Sequence, residues 1–104
     1  MTKSDRARLD KLHRMPCIAC GYAISTAHHL VDKGYRKHSG GHQATIPLCR
    51  WCHLGEPRWA AVTIGEMSRT VGPSLAFNKR EFVKRYGTER ELLAKVNKLI
   101  GATA

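Results

Sequence analysis

Apolar positions along the chain divide it into short elements with different periods. From Ser4 to Arg14 they recur as Ala7, Leu9 and Leu12, a narrow stripe on a helix that Ser4 or Asp5 can cap and Pro16 stops. Ile24 to Val31 and Gln43 to Leu48 read as strands, the second carrying Pro47 and therefore an edge strand or a strand end. Leu54-Gly55-Glu56-Pro57 interrupts any helix that starts just before it, and Trp59 to Met67 has mixed periodicity. Thr63-x-x-Glu66 has the form of a capping box for a short helix ending at Gly72-Pro73. Asn78-x-x-Glu81 opens a helix with Phe82, Val83 and Tyr86, ended by Gly87. Thr88-x-x-Glu91 opens another, with Leu92, Leu93, Val96, Leu99 and Ile100 on one face and Gly101 as terminator. The pattern predicts one α+β domain over 1–104: a strand-containing core (16–58), a basic N-terminal helix (4–14) and a C-terminal helical cover (59–101).

Between the strands periodicity disappears. Asp32 to His42 is a basic loop punctuated by Gly34, Gly40 and Gly41. The whole chain has 18 Lys and Arg against 8 Asp and Glu, a net charge of +10, which calls for a polyanionic partner such as DNA or RNA. Lys33, Arg36, Lys37 and Arg50, interleaved with Tyr35 and Trp51, are the candidate phosphate contacts, Trp51 being better explained by packing. Arg6, Arg8, Lys11 and Arg14 form either a solvated helix face or a phosphate-contacting arm. Arg58, Arg69, Lys79, Arg80, Lys84 and Arg85 extend the basic surface and are individually read as solvated charges. No run approaches membrane-spanning length, and the polar start Met1-Thr2-Lys3-Ser4-Asp5-Arg6 lacks a signal-like apolar segment, so a soluble, intracellular protein is expected.

At 104 residues such a chain benefits from a staple, and four cysteines supply one, as disulfides or as a metal site. Their arrangement favours zinc: Cys17-x-x-Cys20-Gly21 and Cys49-x-x-Cys52 are separated by 28 residues, Gly21 to Leu48. An all-thiolate tetrahedral shell has no open position, so this zinc is expected to be structural, in a reducing compartment.

His28-His29, in Thr26-Ala27-His28-His29-Leu30, is harder to assign to a core, because neighbours on a strand point to opposite faces and each ring has two nitrogens to satisfy. His53 directly follows the last cysteine. The bland reading makes it a surface residue of a knuckle. The functional one groups His28, His29 and His53 around a divalent cation and a general base, the parts that metal-assisted phosphodiester hydrolysis requires.

Cys-x-x-Cys-Gly, Ala-His-His-Leu, a glycine-rich loop and Ile-Pro-Leu-Cys-x-x-Cys-His resemble, in that order, the HNH (ββα-metal) endonucleases. With Val71-Gly72-Pro73-Ser74-Leu75-Ala76, Phe82, Tyr86-Gly87 and Leu92-Leu93, the chain looks more narrowly like the bacteriophage recombination-enhancement nucleases that act with RecA. The resemblance spans roughly Pro16 to Ile100. It implies a ββα-metal module with a structural zinc knuckle, and a metal-dependent DNA endonuclease of low sequence specificity. It also implies RecA as a partner and the cytoplasm of a bacterial host as the setting. By the same resemblance His29 is the general base, His28 stands where many members have a metal-binding aspartate, and His53 is the second ligand. The cation is expected to be Mg²⁺, Mn²⁺ or another transition ion, the imidazole in place of a carboxylate favouring softer ions. Two positions depart from the pattern. The middle Asn or Asp has no counterpart, Ala44 standing at its commonest place with His42 and Gln43 nearby. Pro57 occupies the place of a further polar helper, so water is expected to complete more of the metal shell. The competing class is a non-catalytic zinc-ribbon accessory protein that binds nucleic acid, and RNA is the alternative substrate.

Overall fold

The computed structural model describes residues 1–31, 34 and 40–101. Helix α1 spans Lys3–His13, one residue earlier at each end than the pattern predicted. The cap is Thr2 rather than Ser4 or Asp5. Its hydroxyl accepts the Asp5 N–H and the Asp5 carboxylate accepts the Thr2 N–H, which places Asp5 at the third helical position of a capping box. Strands β1 (Thr26–His29) and β2 (Thr45–Leu48) are both shorter than expected and pair antiparallel, Thr26 opposite Leu48 and His29 opposite Thr45. Pro47 fits inside β2 because in a two-stranded sheet every strand is an edge. Its carbonyl instead accepts the N–H of Ile18 at 2.9 Å, which ties the first cysteine loop to the sheet.

All four residues of β2 are buried, so the strand runs through the middle of the body. Helix α1 packs on both strands, α5 (Glu89–Ile100) on β2, and α2 (Arg50–Leu54) on both strands. Leu12, Leu30, Ile46, Leu48, Trp51, Met67, Phe82, Leu92 and Val96 fill the space between them. Helices α3 (Ile64–Thr70) and α4 (Lys79–Tyr86) contribute Met67 and Phe82 to this core. Trp51 is fully buried and its indole N–H donates to the Gly72 carbonyl at 3.0 Å, in agreement with a packing role.

Arg8 belongs to neither of the roles its sequence position suggested. It is buried, and its guanidinium joins three elements: Nε donates to Thr45 Oγ1 (2.9 Å), Nη2 to the Thr45 carbonyl (2.7 Å) and Nη1 to Asn97 Oδ1 (2.7 Å). A buried cation held by neutral acceptors is stable only when the fork is filled, which fixes α1, β2 and α5 relative to one another. Thr45 Oγ1 passes its own proton to the His42 carbonyl at 2.9 Å, extending the clamp to the turn before β2.

Two further expectations change in detail. Asn78 precedes α4 without capping it; its side-chain oxygen accepts from Ser68 Oγ and the Ser74 N–H, tying α4 back to α3. Leu99 is 67% exposed, whereas Leu92, Leu93 and Val96 are buried. The inward face of α5 runs through positions 89, 92, 93, 96, 97 and 100. At about 100° per residue Leu99 lies roughly a quarter turn from its centre, and Glu89 lies on it.

Candidate active site

Two centres flank the hairpin. The first is the cysteine knuckle. Cys17 begins a tight loop in which the Gly21 N–H returns to the Cys17 carbonyl at 3.0 Å and the Cys20 N–H points at Cys17 Sγ at 3.4 Å. Gly21 closes it with φ of +80°, a conformation that favours glycine. The second pair repeats the device at a helix start, where Cys49 Sγ caps α2 by accepting the Cys52 N–H at 3.4 Å. The four sulfur atoms lie within 4.8 Å of one another, with Cys20 and Cys49 at 3.6 Å. A tetrahedral zinc with Zn–S near 2.3 Å has S–S edges of about 3.8 Å. The donor set therefore fits a metal ion such as zinc.

The charges around the knuckle agree with that. Hydrogen bonding from the Cys17 thiol lowers Cys20 to about 6, and the neighbouring thiols also stabilise the thiolate of Cys49. Cys17 and Cys52 are raised by their hydrogen-bonded partners, because four thiolates cannot share so small a volume without a cation. Arg58 adds a positive charge from outside. Its Nη2 donates to Cys20 Sγ at 3.1 Å and to Cys49 Sγ at 3.5 Å, while the guanidinium lies 3.7 Å from the centre of the Tyr22 ring. The sequence pattern suggests a solvated charge for Arg58, whereas the structure makes it part of the knuckle.

The second centre is a cleft of ≈ 330 Å³ lined by His28, Val31, His53, Leu54, Leu75, Ala76, Lys79 and Glu89. His28 comes from β1, His53 from α2, Lys79 from the start of α4 and Glu89 from the start of α5. Helix α2 ends at Gly55, with φ of +73° and so little room that an added Cβ would fall 2.1 Å from the Phe77 ring. The Leu75 N–H donates to the Cys52 carbonyl at 2.8 Å, holding the segment before α4 against the same helix. The His28 and His53 rings meet edge to face, their centroids 4.7 Å apart.

Hydrogen bonds determine how each ring presents its nitrogens. The Thr26 hydroxyl donates to the Leu48 carbonyl at 2.8 Å, so its oxygen accepts from His53 Nδ1, 2.9 Å away. In the neutral ring the lone pair then sits on Nε2. His28 Nε2 lies 2.6 Å from Glu89 Oε1, where it acts as the donor, and its lone pair is on Nδ1. Two imidazoles with a carboxylate beside one of them are donors of the kind that transition ions take.

His29 is placed differently. It ends β1 but is not among the described residues lining the cleft; its Nε2 lies 2.9 Å from His42 Nδ1 and the two rings are 5.0 Å apart. Of the three histidines expected together, His28 and His53 meet in the cleft, and His29 meets His42. Adjacent strand positions face opposite ways, which is the physical reason. Of the residues near the missing Asn position, His42 is the one beside His29, Ala44 is buried, and Gln43 turns to Asp5 on α1 at 2.8 Å. Arg50 is exposed and its guanidinium forms a two-point bridge to Glu56 at 2.5 and 2.9 Å. Lys33, Arg36, Lys37 and Tyr35 lie outside the described residues.

Glu89 and Thr26 were missed. Glu89 had a signal, a carboxylate three, four and seven positions before Leu92, Leu93 and Val96 and so on the apolar face. Thr88-x-x-Glu91 accounts for the start of the helix in the sequence, which leaves Glu89 unassigned there. Thr26 had none, because its role depends on the register with Leu48.

The family model for recombination enhancement, RecA-dependent nuclease, matches residues 1–101. The chain belongs to that family. The family's description implies nuclease activity in general, in recombination enhancement. No curated protein matches the chain. Among the described residues no helix is long and apolar enough to cross a membrane.

Proposed function

We propose that the protein is an HNH-type, metal-dependent DNA endonuclease of low sequence specificity, acting with RecA on recombination intermediates in the cytoplasm of a bacterial host, as a phage or prophage function. The observation that carries this reading is the meeting of His28 and His53 in one cleft, in a chain of the RecA-dependent nuclease family. The order β1, β2, α2, with one histidine on the first strand and one on the helix, agrees with a ββα-metal module. In this reading the four cysteines hold a structural Zn²⁺. His28 Nδ1 and His53 Nε2 hold one catalytic divalent cation, Mg²⁺, Mn²⁺ or another transition ion. That cation, when bound, supplies positive charge to the phosphate and its leaving oxygen.

The chain's own groups do the rest. His29 takes a proton from the attacking water, and His42, hydrogen-bonded to it, takes the bracing part usually given to Asn or Asp. In-line displacement puts nucleophile and leaving oxygen on opposite sides of phosphorus. A phosphodiester across the end of β1 accordingly meets His29 on one side and His28 with His53 on the other. Lys79 neutralises phosphate charge within the cleft. Lys33, Arg36, Lys37 and Arg50 contact flanking backbone phosphates, Arg50 by exchanging Glu56 for phosphate. Contacts of this kind bring few groups to base edges, hence low sequence specificity.

The test is nicking of supercoiled plasmid by purified protein with Mg²⁺ or Mn²⁺, with and without RecA and ATP, beside His29→Ala. Metal-dependent nicking that RecA stimulates and His29→Ala loses by about 10²–10⁴-fold is expected. Absence of nicking in every condition would instead favour the non-catalytic zinc-ribbon accessory protein, and equal nicking by the variant would overturn the endonuclease assignment as drawn, with His29 as its base.

A further inference from the structure

Glu89 has a place in the cleft that neither the cysteine knuckle nor the proposed water activation uses. It is 8% exposed, and its described ion pair is with His28, 61 residues away in sequence. Three features hold it there. The Thr88–Glu91 capping box fixes the first turn of α5, with both reciprocal hydrogen bonds formed. The positive end of the helix dipole favours a carboxylate at that position. Further along the same helix Asn97 is held by Arg8, which also grips Thr45 on β2, the partner of β1. A buried carboxylate is costly unless it is paired, so its direction toward one imidazole nitrogen calls for a role.

We propose that Glu89 is the positioning residue of the cation site: its carboxylate accepts the Nε2–H of His28, locks that tautomer and ring orientation, and thereby leaves Nδ1 as the metal-binding nitrogen. This rests on the reading of His28 and His53 as ligands. A carboxylate behind a metal-binding imidazole also strengthens the imidazole as a donor. Such a brace matters more here because Pro57 stands where a further polar helper would be, leaving the two imidazoles to hold the cation. Thr26 serves His53 in the same way through Nδ1, with a neutral oxygen in place of the carboxylate.

The experiment uses ¹⁵N-labelled, zinc-loaded full-length protein. Long-range ¹H–¹⁵N spectra assign the tautomer of His28, and Mn²⁺ titration follows broadening of the His28 and His53 ring signals. Wild type is compared with Glu89→Ala and with Glu89→Gln, which keeps an acceptor and nearly the same shape. The expected result is an Nε2–H tautomer for His28 in wild type and its loss in Glu89→Ala. Mn²⁺ affinity should fall about 10–100-fold in Glu89→Ala and less in Glu89→Gln. A merely structural tether would not move the tautomer and the Mn²⁺ affinity together. Should Glu89→Ala lose its dispersed spectrum, Glu89→Gln decides alone: lower affinity with His28 still Nε2–H supports the proposal. The proposal is overturned if wild-type His28 carries its proton on Nδ1, or if wild type binds Mn²⁺ and the folded variants bind it equally well. Wild type whose ring signals never respond to Mn²⁺ overturns the ligand reading itself, and the brace with it.

Discussion

The knuckle and the cleft lie on the same hairpin and are built by opposite means. The knuckle takes its four donors from two tight turns, each closed by local hydrogen bonds, and its sulfur atoms converge within 4.8 Å with no position left for substrate. The cleft takes single residues from β1, α2, α4 and α5 and depends on the packing of all four. One is closed and local; the other is open and tertiary. A centre built locally can support folding, whereas a centre built from distant elements can bring its side chains together only because the fold is already held.

That contrast is broken most severely at the knuckle. Removing zinc with a strong chelator, or replacing Cys49 by Ser, should abolish the cooperative melt and the cleft together, since structural zinc supplies on the order of 10 kcal/mol to small modules. Circular dichroism against temperature checks this, and a chelated chain that still melts cooperatively with unchanged midpoint would show that metal and fold are uncoupled. The converse is His53→Ala. It should reduce nicking by at least about 10²-fold while the melting midpoint shifts by no more than a few degrees, as read by thermal denaturation beside the plasmid assay.

The Arg8 clamp comes next in size. Arg8→Met leaves the Thr45 carbonyl and the Asn97 side chain without their donor, a cost of about 3 kcal/mol in urea unfolding, and loosens both His42 and α5. A variant as stable as wild type would show that Arg8 is not the element joining α1, β2 and α5.

The smallest effect lies at the first turn of α1. The Thr2 backbone N–H, then the Gln43 amide, lower Asp5 from 3.8 to about 2. The folded pKa is below the unfolded one, so the stabilisation is present above about pH 4 and is lost as the pH falls through 2. Asp5→Ala should therefore lower the melting midpoint by a few degrees at pH 7, with the difference vanishing near pH 2 and nicking unchanged.

The same contrast explains what was legible in the chain. Two Cys-x-x-Cys pairs announce themselves because their ligands are neighbours in sequence, and so do the helix caps at Thr63 and Thr88, of which Thr88 forms the full reciprocal box and Thr63 only the cap bond from the Glu66 N–H. The histidines could be named as functional. Their grouping could not, because the pairing of His28 with Glu89 and of Thr26 with His53 requires the strand register and the docking of α5. Arg8 was misread on similar grounds: charge on a helix suggests solvent or phosphate until Thr45 and Asn97 are seen around it. Pattern reports local chemistry well and says little about which distant polar groups will meet.

Zinc content and nicking measured on the same sample test the division between the two centres most directly. Protein treated with EDTA under conditions that retain one zinc per chain should not nick supercoiled plasmid. Adding Mn²⁺ should restore nicking to wild type but not to His53→Ala, with zinc content unchanged throughout. Nicking by the EDTA-treated, zinc-loaded protein before any cation is added, or equal restoration in His53→Ala, would contradict the division between a closed structural site and an open catalytic one.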